Sequence, residues 1–238
     1  MQQLGLALRL PQTQTFANFI PGRNAEAIAA LRDWASGQGA AVGQGAPYLA
    51  LHGEAGSGKT HLLRAACAEL QASGQSVTYL SLKQSDLEPA ICEGLETLSA
   101  VVLDDVHAVA GDAGWERALF ALFNRLRERE ARLLIAASRP PAALSIDLAD
   151  LHSRLCSGPG FLLQPLDDDG LDRLLKQGAQ DRGFALDAAA RRYLLTRCTR
   201  DPAKLLALLD DIDAASLAQA RAPTVPFLSA LLASRETC

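Results

Sequence analysis

Gly53-Glu54-Ala55-Gly56-Ser57-Gly58-Lys59-Thr60 is the stretch that most restricts what this chain can fold into. It matches G-x-x-x-x-G-K-[ST], the phosphate-binding loop between a strand and a helix. Each residue type answers a need of a polyphosphate. Glycines let the backbone curl and bring several N–H groups to the oxygens. The helix that follows adds the positive end of its dipole. Lys59 reaches the β- and γ-phosphates as a compact cation, and the Thr60 hydroxyl is suited to Mg²⁺. A Gly-rich turn is the bland alternative, but four constrained positions make a chance match on the order of 1% or less. The flanks agree: Tyr48-Leu49-Ala50-Leu51-His52 reads as a strand, and His61-Leu62-Leu63-Arg64-Ala65-Ala66 opens a helix. The nucleotide-binding set is therefore Gly53, Gly56, Ser57, Gly58, Lys59, Thr60 and His61, for ADP or ATP.

A chain of 238 residues, 49% apolar, has room for one α/β domain and a small extra one. No apolar run of about 18 residues marks a transmembrane helix, and the N-terminus lacks the pattern of a signal peptide. Five cysteines (Cys67, Cys92, Cys156, Cys198, Cys238) are scattered without CxxC pairs. That argues for reduced thiols and a cytoplasmic location. The net charge of −4 gives no overall attraction to DNA, so any role there depends on a partner or a local patch.

Leu4, Leu6, Leu8 and Leu10 alternate ahead of Pro11. The pattern suits an edge strand, or an extended peptide that docks in another protein's apolar pocket. Phe16, Phe19 and Ile20 precede a helix that begins near Asn24 and ends at Gly37. Core packing is the simpler reading of these side chains. The other is an apolar wall for the adenine base, which adds Phe19 and Ile20 to the nucleotide site. Strands at Val77–Ser81 and Ala100–Asp105 follow, with a helix-like stretch near Asp86 to Thr97 between them. The second strand ends in paired carboxylates. After a phosphate loop, Asp104 can hold Mg²⁺ with Thr60, and Asp105 can orient the attacking water. Trp115 to Glu130 reads as a helix with a solvated charged face that includes Glu116. The strand Arg132–Ser138 ends at Ser138, either a γ-phosphate contact or a plain terminus. Leu148 to Leu155 is a short helix carrying His152 and Arg154, and Phe161–Leu163 is a last strand. Alternation of strands and helices implies a mostly parallel sheet. From Leu166 only helices follow: Asp167–Asp181, Asp187–Cys198, Asp201–Ala218 and one after Pro223. The expected division is a tail at 1–10, an α/β nucleotide-binding core at 11–165 and a small C-terminal α-helical lid at 166–238.

In that order these features resemble an AAA+ ATPase. Thr15-Phe16-Ala17-Asn18-Phe19-Ile20-Pro21-Gly22, Asp104-Asp105-Val106-His107, Ser138-Arg139-Pro140-Pro141 and Leu151-His152-Ser153-Arg154-Leu155 are similar to segments of the bacterial replication initiator DnaA. The likeness runs over about residues 12–238 and stops with the lid, without the initiator's helix-turn-helix domain. Gln3-Leu4-Gly5-Leu6-Ala7-Leu8 resembles the motif that docks on the β sliding clamp. Together these resemble the Hda branch of the DnaA family. The resemblance implies a regulator that rides the clamp on DNA and stimulates hydrolysis of initiator-bound ATP. Gln3, Leu4, Leu6 and Leu8 would bind the clamp, and Arg154 would be the catalytic finger, where the residues alone allow an intramolecular salt bridge equally well. A homodimer is compatible with it. Ser138 stands where the family carries Asp, and Ala203 stands at the lid's usual Arg, with Arg200 and Lys204 nearby. Both departures imply a protein that holds nucleotide more than it turns it over. An autonomous AAA+ ATPase acting as a helicase loader is the alternative.

Overall fold

The computed structural model describes residues 14–36 and 48–233. They form two compact units, one of residues 14–19 and 24–164, the other of residues 20–23 and 165–233. The first is built on five parallel strands: β1 (Tyr48–His52), β2 (Val77–Ser81), β3 (Ala100–Asp104), β4 (Arg132–Ala137) and β5 (Gly160–Leu162). Their order across the sheet is β2-β3-β4-β1-β5. The four helices of this unit are α1 (Ala25–Ser36), α2 (Lys59–Ala72), α3 (Ala113–Glu128) and α4 (Ala149–Leu155).

The three inner strands are apolar at almost every position because both faces are covered. Period-two alternation sends Leu49, Leu51, Val102 and Leu134 toward Leu31, Trp34, Leu62 and Leu63 of α1 and α2. Tyr48, Ala50, Val101, Leu103, Leu133 and Ile135 face Leu119, Leu122, Leu126, Leu151 and Leu155 of α3 and α4. β5 is an edge, and Leu162 on it is 58% exposed. In register, Ser81 pairs with Asp104 and His52 with Ala137. The carboxyl ends of β1 to β4 therefore lie side by side, where open α/β sheets place their ligands.

The second unit has its own core of Leu171, Leu175, Leu194, Leu205, Leu209, Ile212 and Leu228. They lie on α5 (Asp168–Asp181), α6 (Ala188–Arg197), α7 (Pro202–Gln219) and α8 (Val225–Ala233). Aspartates cap three of these helices. Asp167, Asp187 and Asp201 accept the backbone N–H of Gly170, Ala190 and Ala203 at 2.9, 2.7 and 2.9 Å. Gly178 of α5 lies so close to α7 that a Cβ there would sit 2.7 Å from Leu209. No helix among the described residues is long and apolar enough to cross a membrane.

Two expectations need correction. Residues 86–97 are not one helix but two 3₁₀ turns, Pro89–Cys92 and Leu95–Thr97. Gly94 between them adopts φ +82°, and Glu93 is extended, so no helical ladder can run through. Nor does Glu116 belong to a solvated face. It is 2% exposed and accepts N–H bonds from Gly111, Asp147 and Leu148 at 2.8, 3.1 and 2.8 Å. Burial raises its pKa, but the three amides outweigh this and hold the carboxyl below its ordinary value of 4.5. A depressed folded pKa gives stability that is present above 4.5 and lost as pH falls through the folded value. Glu116→Gln should therefore be less stable than wild type at pH 7 by about 1–3 kcal/mol. The gap should narrow below pH 4.5, as read from urea midpoints across pH.

Candidate nucleotide-binding site

The loop between β1 and α2 can be built from few residue types. Gly56 and Gly58 take φ +77° and +92°, the left-handed region that β-carbons disfavour. Gly53 is required by space: a Cβ there would lie 2.5 Å from the Leu163 carbonyl oxygen and 3.0 Å from Ser57 Oγ. At Gly58 it would meet the Phe19 ring at 2.7 Å. Inside this curl Lys59 Nζ donates to the carbonyls of Gly53 and Glu54 at 2.7 and 2.8 Å. Burial lowers the Lys59 pKa, while Asp104 and Asp105 nearby oppose that shift. The Ser57 hydroxyl is buried and has no partner among the described residues.

Asp104 is the charged centre of the site, 1% exposed at the end of β3. Its Oδ2 accepts the Thr60 hydroxyl at 2.6 Å and the Tyr79 hydroxyl at 2.9 Å, and Oδ1 accepts the Asp105 N–H at 2.9 Å. Thr60 spends its hydrogen on Asp104, which leaves its oxygen lone pairs for a divalent cation. The residues fit a Mg²⁺–polyphosphate: a cradle too tight for side chains, a buried orphan hydroxyl, a cation, and a hydroxyl already aligned by a carboxylate. Asp105 follows in a left-handed conformation, φ +56°. Its Oδ2 accepts the Ser81 hydroxyl at 3.2 Å.

The other expected residues fall in several places. His61 Nε2 donates to the Thr15 carbonyl at 3.0 Å, and its ring meets Phe19 edge-on at 5.1 Å between centroids. Burial lowers the His61 pKa, against the pull of that bond. His61 and Phe19 thus tie the entry segment to the start of α2, with Phe19 packed on Gly58. Ile20 groups with the second unit. Ser138 lies one residue beyond β4 and is exposed. Its N–H donates to His107 Nδ1 at 3.2 Å. Arg154 is half-buried on α4, and its guanidinium has no ion pair or hydrogen bond among the described residues. In the second unit, Arg200 pairs with Asp168 at 2.7 Å, while Lys204 is exposed. Gln3, Leu4, Leu6 and Leu8 lie outside the described residues.

Tyr79 and Ser81 carry no motif of their own, yet they hold the two aspartates. Their signal is the period of two: Tyr79, Ser81, Val102 and Asp104 share one face of paired strands, the face on which α2 packs.

Residues 10–160 match the family model of the bacterial DnaA ATPase domain, and residues 167–232 match that of the Hda lid domain. The chain belongs to the DnaA/Hda-related family of AAA+ proteins. Its fold is similar to that of domain III of the replication initiation protein DnaA from Thermotoga maritima. That likeness has a TM-score of 0.79 at 21% identity and covers 94% of this chain and 98% of that one. Replication initiator DnaA bound to AMPPCP and single-stranded DNA gives a TM-score of 0.71 at 24% identity, over 86% of this chain and 66% of that one. The RuvB Holliday junction branch migration motor of Thermotoga maritima gives 0.69 at 18% identity, over 90% and 69%. The AAA+ fold is thus common to all three, and the chain spans just under two thirds of the AMPPCP-bound initiator.

Replacing Gly53 by Ala forces a β-carbon against the fixed carbonyl of Leu163. The variant should lose about 1–3 kcal/mol of stability, measured by urea unfolding, before any effect on ligand binding is considered.

Proposed function

We propose that this protein is a regulatory inactivator of the replication initiator DnaA, acting in the cytoplasm and negatively regulating the start of DNA replication. What carries this reading is the match of residues 167–232 to the Hda lid, joined to a DnaA-type core. The chain holds ADP or ATP in the Gly53–Thr60 loop and docks through Gln3, Leu4, Leu6 and Leu8 on the β sliding clamp. It meets DNA only through that clamp and stimulates hydrolysis of the ATP bound to the initiator.

The chain's own residues divide the work. Ser57 and the backbone amides of the loop receive phosphate oxygens, and Lys59 exchanges its carbonyl partners for them. Thr60 and Asp104 would hold Mg²⁺, which when bound neutralises charge between the phosphates. Phe19 walls the loop at Gly58. Ser138 and Asp105 lie at the same edge of the sheet, but they supply little to hydrolysis in this chain. Asp105 is shorter than Glu and already engaged by Ser81, and Ser138 presents a hydroxyl in place of the family's Asp. This fits a protein that retains its nucleotide.

Arg154 is the residue offered to another molecule. In the initiator's site, water attacks the γ-phosphoryl group, the bond to the β-phosphate oxygen breaks, and phosphate and ADP leave. A guanidinium set against the γ-oxygens neutralises the charge that develops, an effect on the order of 10³–10⁵ in rate. That Arg154 has no ion pair or hydrogen bond among the described residues supports this role, since a finger must be unspent before it docks.

Initiator-bound ATP on clamp-loaded DNA should be hydrolysed rapidly with the wild-type protein. With Arg154→Ala the stimulation should vanish while binding of fluorescent ADP persists, and retained stimulation would remove Arg154 from the reaction. Changing Gln3 and Leu4 to Ala should abolish clamp binding in a pull-down and leave nucleotide affinity intact. Capture of the replicative helicase instead of the clamp would favour a helicase loader.

A further inference from the structure

The helix that carries Arg154 cannot hold itself in place. α4 has seven residues, too few for independent stability. Its N-cap position is Leu148, which offers no side-chain acceptor to the first amides. The chain entering the helix is instead held from another element, at the N-cap residue and the residue before it. Glu116, in the first turn of α3, reaches across with Oε2 on the Leu148 N–H at 2.8 Å and Oε1 on the Asp147 N–H at 3.1 Å. Oε1 also accepts the Gly111 N–H at 2.8 Å, which fixes the carboxylate in turn. At the far end, Tyr48 of β1 donates its hydroxyl to the Leu155 carbonyl at 2.9 Å. The Tyr48 ring is itself held edge-on against Phe123 of α3, 5.2 Å between centroids. Leu151 and Leu155 fill the core between the two clamps.

A local Asp or Ser at position 148 would reach the amides of Asp150 and Leu151, and would do so without a carboxylate buried on another helix, which is costly unless hydrogen-bonded. A local cap, however, would leave α4 free to shift as a unit. Clamps from α3 and β1 fix it against the body of the sheet. That distinction matters for a side chain such as Arg154, whose guanidinium has no internal partner among the described residues and takes its direction from the helix alone.

We propose that Glu116 and Tyr48 are positioning residues for Arg154, locking both ends of α4 so that the guanidinium is presented in one orientation to the partner's phosphates. This rests on the reading of Arg154 as the group offered to initiator-bound ATP. Neither residue touches the nucleotide or the partner in this scheme.

The test is initiator ATP hydrolysis on clamp-loaded DNA, titrated with wild type, Glu116→Gln, Tyr48→Phe and Arg154→Ala. Thermal unfolding and fluorescent-ADP affinity are measured in parallel. Both positioning variants should lower the maximal rate at saturation, by up to about 10²-fold for a displaced catalytic group. The half-saturating concentration and the ADP affinity should stay at wild-type values. A merely structural role would instead move half-saturation or ADP binding along with unfolding. Full maximal stimulation by folded Glu116→Gln and Tyr48→Phe, with Arg154→Ala inactive, overturns the positioning role and leaves the finger standing. Full stimulation by Arg154→Ala overturns both. Should Glu116→Gln fail to fold, Tyr48→Phe decides alone, because it keeps the ring contact with Phe123 and loses only one hydroxyl.

Discussion

A carboxylate 1% exposed at the end of a central strand cannot stand alone. Uncompensated, a buried charge of this kind would cost several kcal/mol. Asp104 is compensated by two hydroxyls and one amide drawn from α2, β2 and the following residue. That set of bonds does two things at once. It joins the start of α2 to the middle of β2 and the tip of β3, so the loop between β1 and α2 is anchored at its far end. It also consumes the Thr60 hydrogen, which orients that oxygen toward the space beside the loop. The geometry of the site and the packing of α2 on the sheet thus have one cause.

Much of this was legible in the sequence. Apolar runs marked β1, β3 and β4, because inner parallel strands are buried on both faces and carry little else. Aspartates ahead of α5, α6 and α7 marked their starts, because an acceptor at that position satisfies free amides. The P-loop pattern and the pair Asp104-Asp105 located the site. Other features had no local signal. Tyr79 reads as a strand residue, and only pairing of β2 with β3 shows that its hydroxyl meets Asp104. Glu116 reads as surface because it is charged and is followed by Arg117; two of its three partners lie 31 and 32 residues away. Extended Glu93 and left-handed Gly94 split into two 3₁₀ turns a stretch that propensity alone reads as one helix. Local chemistry is visible in a string of residues, whereas a contact across elements depends on register, which the string specifies only indirectly.

His61 acts on the phosphate loop at one remove. It stands in the first turn of α2 beside the phosphate loop. Its ring bonds the Thr15 carbonyl and supports Phe19, which closes on Gly58. Its effect on the loop is therefore exerted through the aromatic residue of the entry segment.

The aspartate caps of the helical unit set different terms for sequence change from those of the loop. At Asp167, Asp187 and Asp201 any short side chain with an acceptor oxygen would serve, and even its loss costs only about 1 kcal/mol. At Gly53 a β-carbon would strike the Leu163 carbonyl, and at Gly58 it would meet the Phe19 ring at a left-handed φ of +92°. The starts of the lid helices therefore tolerate exchange among several residue types, whereas the turn at Gly53 admits one, and a single misplaced atom there reaches the phosphate cradle itself.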